Sequence, residues 1–405
     1  MTTRHPGTST LPTAPPPSRV DADIARLRAL PARQQPDWPD RSALHATLRS
    51  LPPGDAVTRE DVDELRHELA RLDAAGGLVL QLGDCVEDID TDVPAATRAK
   101  VAFLTQVRSH LRTRTGRDIV AVGRLAGQYA KPRSAEFEVV DGRRLPAYRG
   151  PIVNAPQPTP EARRPSPARL ARAHAAARAA HATLAEHHRA TARRDPIWTS
   201  HEMLLLDYEL RFLRAGEPGG RHLLATTHWP WVGARTRQRD GAHIALAAVL
   251  HNPVSVKIGP DTAPEEAAAL AAALNPEDEP GRLTFIARMG HREIDRLGPL
   301  VRAVHRRVEH VHWVSDPMHG NTVKGVHGFK TRHVEHIAAE LTAFQRIVAE
   351  AGRRPAGLHL EATGDDVHEC AERGVEPHDP ARYRTLLDPR LNPEQTATVL
   401  GHWHA

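Results

Sequence analysis

The spacing of apolar residues changes character along the chain. Over Asp61–Asp73 (DVDELRHELARLD) they recur at helical spacing, and Gly76 and Gly77 supply a stop. Beyond that point short continuous apolar runs, bounded by Gly or Pro, alternate with helical stretches. The runs are Leu78–Leu82, Ile119–Val122, Val254–Ile258, Leu283–Ala287, Val311–Val314, Gly357–Leu360 and Thr385–Leu387, with a further candidate at Leu223–Thr227. Helical periods fill many of the gaps, as at Pro264–Leu274 and Val334–Ala351. Runs that are apolar on both faces, alternating with helices, predict a parallel sheet covered on both sides. Eight such strands would close into a (β/α)8 TIM barrel, and a doubly wound open sheet is the alternative. The expected architecture is therefore α/β: a (β/α)8 barrel over residues 76–405, preceded by a helical extension over 21–75. A Pro-, Thr- and Ser-rich tail over 1–20 is expected to be disordered.

Composition narrows the function classes. The chain has 405 residues, with 54 basic against 50 acidic side chains, a net charge of +4. That excess is too small for a dedicated nucleic-acid binder. The Ala-, Arg- and His-rich stretch Ala168–Arg194 has no interleaved aromatics for base stacking. It is expected to be a helix whose Leu170, Ala173, Ala177 and Leu184 form one buried stripe. Two cysteines, Cys85 and Cys370, cannot build a disulfide framework, and no secretory h-region is visible upstream. The longest clean apolar run is of the length of Ile244–Leu250, against the ~18 residues of a membrane span. A cytoplasmic protein binding neither nucleic acid nor membrane is expected.

Residues that propensity does not explain cluster just after the apolar runs. They are Cys85, Arg124, Arg235, Lys257, Arg288, Asp316, His319, Glu361 and Asp388. In a parallel barrel all strand C-termini open on one face, so these positions would converge on one cleft. Cys85, His319, Glu361 and Asp388 offer one sulfur, one nitrogen and two carboxylates, a donor set suited to Mn, Fe, Co or Zn with a coordination position left open. Each alone has a plainer explanation: a buried lone Cys is usually a small hydrophobe, and an Asp before Pro usually makes a turn. The second set, Arg124, Lys131, Arg133, Arg235, Lys257 and Arg288, would repel unless anions fill the cleft. Guanidinium forks recognise phosphate and carboxylate in a bidentate manner. Two phosphorylated substrates, one also a carboxylate, would account for so many cations.

In order along the chain, GDCVED, VGRLAGQYAKPRS, RTRQRDGAH, NPVSVKIGP, RMGH, SDPMHGNT, GFKTRH, HLEATG and DPRLN resemble the motifs of class II (plant-type) 3-deoxy-D-arabino-heptulosonate 7-phosphate (DAHP) synthases. The resemblance runs from Gln35 to Gln395. It implies a (β/α)8 barrel that condenses phosphoenolpyruvate (PEP) with D-erythrose 4-phosphate, the first step of the shikimate pathway. It also implies a divalent metal, Mn2+ foremost and otherwise Co2+, Zn2+ or Fe2+, and a homo-oligomer, dimer or tetramer. By resemblance the metal ligands fall on Cys85, His319, Glu361 and Asp388. The PEP-binding set falls on Arg124, Ala234, Arg235, Lys257 and Arg288, and the erythrose 4-phosphate segment on Lys131, Pro132, Arg133 and Ser134. Lys257, Arg235 and His319 are the expected catalytic residues.

The departures carry expectations too. Ala234 stands where most class II members have Glu, and Leu387 stands where a Cys often precedes the last ligand, so no redox pair with Cys85 is available. The stretch between His181 and Ser200 is shorter than in long microbial members, whose extra helices there bind aromatic amino acids as inhibitors. Weak or absent feedback inhibition and service to a specialised, antibiotic-type pathway are expected. An amino-DAHP synthase acting on an aminated tetrose phosphate, and a catalytically silent anion-binding barrel, are the alternatives.

Overall fold

The computed structural model describes residues 18–404 apart from 53, 55, 141 and 218. The expected tail lies outside the described residues as far as residue 17. Ser18 caps the first helix, accepting from the Asp21 N–H. Three helices precede the sheet: α1 (Arg19–Arg28), α2 (Arg41–Ser50) and α3 (Arg59–Ala75). α3 opens with a reciprocal Thr58/Asp61 capping box and stops at Gly76, whose φ of 76° suits a residue without Cβ.

Eight strands follow: β1 (Leu78–Gly83), β2 (Ile119–Arg124), β3 (Ile197–Thr199), β4 (Trp231–Val232), β5 (Val254–Ile258), β6 (Leu283–Ala287), β7 (Val311–Ser315) and β8 (Pro355–Glu361). All pairings between them are parallel, in the order β3-β2-β1-β8-β7-β6-β5-β4. The two ends of that order meet in a parallel bridge between Glu202 and Trp231. There the Trp231 N–H donates to the His201 carbonyl and the Met203 N–H to that of Trp231, both at 3.1 Å. The sheet thus closes on itself, which makes a (β/α)8 barrel and excludes the doubly wound sheet. At the β8–β1 seam a Cβ on Gly357 (φ 149°) would lie 2.1 Å from the Val79 carbonyl oxygen, so only glycine fits.

Six of the expected runs are barrel strands. Two expectations are corrected. Thr385–Leu387 is a bent loop, and Leu223–Leu224 pairs antiparallel with Leu213–Arg214 outside the barrel. The strands actually used, β3 and β4, have three and two residues, too short to register as apolar runs. Trp198 and Trp231 anchor them in the core.

The outer helices are α4 (Val93–Thr115), α5 (Pro167–Ala190), α6 (Ala242–Val249), α7 (Pro264–Leu274), α8 (Leu297–His305), α9 (Val334–Glu350) and α10 (Pro393–Leu400). β3 is followed only by a four-residue turn of helix, Leu206–Glu209. The predicted stripe of α5 is buried at Leu170, Ala173, Ala177 and Leu184. Helix α3 plugs the barrel floor: Leu65, Leu69 and Leu72 pack with Val79, Val120, Trp198 and Trp229.

The floor also carries a fully buried arginine. Arg282, just before β6, donates to the carbonyls of Leu274, Leu250, Asn252 and Ala247 at 2.5–3.2 Å. It thereby ties together the C-terminal ends of α6 and α7, whose last carbonyls have no helical partner. Replacing it leaves buried acceptors unpaired, at ~1–3 kcal/mol each before relaxation. Arg282→Leu should lower the unfolding free energy by about 3 kcal/mol, read as a reduced urea midpoint.

Candidate active site at the barrel mouth

The C-terminal ends of the strands bring together the four residues predicted to ligate a metal. Cys85 lies just beyond β1, His319 beyond β7, Glu361 ends β8, and Asp388 lies in the long loop after β8. His319 Nε2 is 2.9 Å from Glu361 Oε1, and Cys85 Sγ is 3.5 Å from Asp388 Oδ2. One cation touches all four: Lys131 Nζ is 2.7 Å from Cys85 Sγ, 2.8 Å from Asp388 Oδ2, 3.3 Å from His319 Nε2 and 3.4 Å from Glu361 Oε1. Four donors of three elements that converge on a single ammonium fit a divalent ion of borderline softness.

Electrostatics support the same fit. Burial opposes ionisation of Glu361, yet His319, Lys131, Arg332 and Arg124 outweigh it and hold the carboxyl well below its usual range. Arg332 Nη2 is 2.7 Å from Glu361 Oε2 and Arg124 Nη2 is 2.8 Å from Oε1. Burial and the Glu361 carboxylate push the Cys85 thiol up to about 12 despite Lys131. A thiolate ligand there therefore needs more positive charge than one ammonium supplies.

Each donor is aimed by a neighbour. Asp316, directly after β7, accepts from the N–H groups of Met318 and His319 and lies 2.8 Å from His319 Nδ1 through Oδ2. The second ring nitrogen, Nε2, consequently faces Glu361. Asp316, His319 and His359 also group closely enough for an ion, but Asp316 Oδ2 is taken by Lys257 Nζ at 2.8 Å. Asp388 does not end a strand, contrary to the expectation for Thr385–Leu387. It reaches Cys85 because Arg390 is clamped between Asp84 (2.7 Å) and Glu369 (2.8 Å), next door to Asp388 and Cys85 in sequence. Lys100 secures the same Asp84 at 2.7 Å and Glu87 at 3.0 Å. Glu87 Oε1 in turn accepts from the N–H groups of Gly127 and Gln128, on the loop that carries Lys131.

The predicted anion-binding residues line the same mouth. Lys257 is buried on β5 beside His319 Nδ1 (3.4 Å), and burial, with Arg124 acting in the same sense, brings its ammonium down to about 8 despite Asp316. Arg124 at the end of β2 and Lys257 flank the Trp231 ring, at 5.2 and 5.6 Å from its centre. Arg288 donates to the His319 carbonyl at 3.0 Å. Arg235, on the turn after β4 that also holds Ala234, is exposed and makes no side-chain hydrogen bond among the described residues. Burial of part of its stem and the nearby Arg288 charge lower its pKa. On the Lys131–Ser134 loop Pro132 is buried, Ser134 is exposed, and Arg133 pairs with Glu138 at 2.6 Å.

Sequence reasoning missed Arg332 and Lys330, although both lie in GFKTRH; Lys330 pairs with Asp388 Oδ1 at 3.0 Å. It gave Asp316 no role. It also missed Glu202, a buried carboxylate within the field of Lys257, Lys131, Arg235 and Arg124 and packed against Gly233. Glu202 follows the three-residue β3, whose brevity hid the position.

A closed barrel with a sulfur–nitrogen–carboxylate tetrad beside a crowd of cations is an enzyme frame for anionic substrates at a metal centre. The chain belongs to the class II DAHP synthetase family, whose model matches residues 22–190 and 180–400. It is 43% identical over 392 residues to a probable phospho-2-dehydro-3-deoxyheptonate aldolase of Pseudomonas fluorescens, covering 94% of this chain and 97% of that one. It is 38% identical over 425 residues to the phospho-2-dehydro-3-deoxyheptonate aldolase of Streptomyces coelicolor, covering 91% and 94%. The corresponding protein of Mycolicibacterium smegmatis is 36% identical over 449 residues, covering 95% of each chain.

The Arg390 clamp makes a direct prediction. Arg390→Met strands the buried Glu369 and leaves Asp84 with Lys100 alone, and should cost about 3–5 kcal/mol in urea unfolding. Arg390→Lys should recover part of that loss.

Proposed function

We propose that this chain joins PEP to D-erythrose 4-phosphate, with water, to give DAHP and inorganic phosphate. The observation that carries the reading is the convergence of Cys85, His319, Glu361 and Asp388 on one cation position, next to Lys257, Arg288 and Arg235. Those four residues would hold the divalent ion. When bound, that ion supplies Lewis-acid polarisation of the aldehyde oxygen. The mixed donor set suits Mn2+, Fe2+, Co2+ or Zn2+, and the family resemblance puts Mn2+ foremost.

The chain's own residues do the rest. Lys257, Arg288, Arg235 and Arg124, with the backbone at Ala234, hold the PEP phosphate and carboxylate. Arg235 is already exposed to the cleft, and its mutual repulsion with Arg288 is relieved when an anion arrives. Lys131, Pro132, Arg133 and Ser134 hold the aldose phosphate, with Arg133 exchanging Glu138 for it. So oriented, the PEP methylene carbon forms the new bond to the aldehyde carbon. Water adds to the carbon bearing the enol phosphate, and the C–O bond to phosphate then breaks. Lys257, brought down to about 8 and bonded to Asp316, is placed to move a proton in these steps. The same cations offset the charge that develops as phosphate leaves.

The alignment with the Mycolicibacterium protein runs over 449 positions, more than this chain's 405. That supports the reading of a short form, to which we also assign weak feedback inhibition by aromatic amino acids and service to a specialised pathway. Among the described residues no helix is long and apolar enough to cross a membrane. We assign the chain to the cytoplasm, as a homo-oligomer.

The purified protein should consume PEP and erythrose 4-phosphate and release phosphate one for one, and EDTA should abolish the rate until Mn2+ is restored. Phosphate release unaffected by EDTA would refute the metal reading. Turnover only with the 3-amino analogue of the tetrose would refute the substrate reading. Asp316→Asn keeps the shape but weakens the hold on His319, and should reduce metal affinity ~10–100-fold in equilibrium dialysis. Cys85→Ser should do at least as much.

A further inference from the structure

Lys131 belongs to the segment assigned above to the sugar phosphate, yet its ammonium lies among the four proposed metal ligands. We propose that Lys131 is a displaceable counter-cation of the metal centre. It neutralises the tetrad when no ion is bound, and the arriving ion pushes it out into the substrate cleft. The inference rests on the ligand assignment made above.

The distances require one occupant or the other. Nζ stands 2.7–3.4 Å from Sγ, Nε2, Oε1 and Oδ2. An ion bonded to the same atoms would sit at ~2.0–2.3 Å from each, in the same small space. Ammonium and ion carry the same sign, so they cannot share it. The need for a cation there is permanent, since Glu361 is fully buried and Asp388 nearly so. Taking away the one cation that bridges the pair leaves two buried carboxylates facing each other with no charge between them. The other cations do not span the tetrad: Arg124 and Arg332 are buried and pair with Glu361, at Oε1 and Oε2, and Lys330 pairs with Asp388 Oδ1.

Lys131 is also built to leave. Its flexible four-carbon stem lets Nζ move by rotamer change alone, and it sits on a loop outside the barrel strands. Its next neighbour but one, Arg133, feels the charge of Arg235 across the cleft. A displaced ammonium therefore enters the region where an anionic substrate is the available partner. Ion arrival and readiness for the phosphorylated aldose become one event.

The test uses the full chain stripped of metal and titrated with Co2+, following the thiolate-to-cobalt absorbance. Lys131→Met removes the charge and keeps the length. It should bind Co2+ at least about tenfold more tightly than the wild type, because no ammonium has to be expelled. The ion-free variant should melt below the ion-free wild type, and Co2+ should close that gap. Equal or weaker Co2+ binding by Lys131→Met overturns the proposal. Cys85→Ser run in parallel separates the two readings: a Co2+ signal and affinity that survive it would refute the ligand assignment itself. Should Lys131→Met not fold, the wild type decides alone. Reductive methylation read by mass spectrometry should label Lys131 slowly without Co2+ and at least about threefold faster with it. Equal labelling overturns the proposal.

Discussion

A carboxylate withdrawn completely from water organises this barrel. Glu361 ends β8, the strand that seals the sheet against β1, and its charge is sustained only by partners from elsewhere in the chain. Arg124 comes from β2, His319 from the loop after β7, Arg332 from the segment before α9, and Lys131 from the loop after β2. Burying an unpaired carboxylate costs several kcal/mol, more than any one surface contact returns. The end of β2, the loop after it and the β7–α9 connection are thus not free to drift apart. Their convergence is a condition of folding as much as of chemistry, and the site is preorganised at no separate cost.

The two ends of the barrel solve opposite problems. At the floor, the leucines of α3 fill the opening with apolar volume, and Arg282 satisfies carbonyls without any acid partner. That end is a stability device, its one buried guanidinium spread over backbone carbonyls. At the mouth, acids and bases are held at hydrogen-bond distance, through the chains Lys100–Asp84–Arg390–Glu369 and Lys257–Asp316–His319. Between the two lies a thin polar layer in which Gln81 joins Ser200 and His359 across the interior. The gradient from apolar floor to charged mouth follows from strand direction alone, because in a parallel barrel every C-terminal end opens on the same side.

Much of this was legible in the residues. Runs such as LVLQLG and VSVKI are buried on both faces and therefore continuous in apolar character, which is what makes β1 and β5 readable. Lys257 and Arg288 stood out because a charge at the end of such a run has to be explained by a partner or a ligand. What could not be read were features with no local signal. β3 and β4 are three and two residues long, held by neighbouring strands and by the bulk of Trp198 and Trp231 rather than by any periodicity. Asp388 gains its place from Arg390 gripping Asp84, a contact across almost the whole chain, and a short apolar triplet before it, Thr385–Leu387, mimicked a strand. The position of Lys131 Nζ among Cys85, His319, Glu361 and Asp388 is likewise a tertiary fact: the resemblance puts Lys131 in a segment expected to bind phosphate and is silent on its reach.

The imbalance of charge at the mouth completes the picture. The tetrad side carries the carboxylates, and the opposite side carries Arg235, Arg288 and Arg133; the repulsion that Arg235 feels from the other two is eased by Glu202 and Asp388. Ala234 offers no carboxylate where the family usually has one, so Glu202 is the acid left beside the Gly233–Arg235 turn. Burial raises the pKa of Glu202 against the pull of Lys257, Lys131, Arg235 and Arg124. One carboxyl among four cations leaves a residual positive field, and that field is the attraction that an anionic enol phosphate meets on entering. A second carboxylate at position 234 would spend part of that field before substrate arrives. Ala234 leaves that field undiminished.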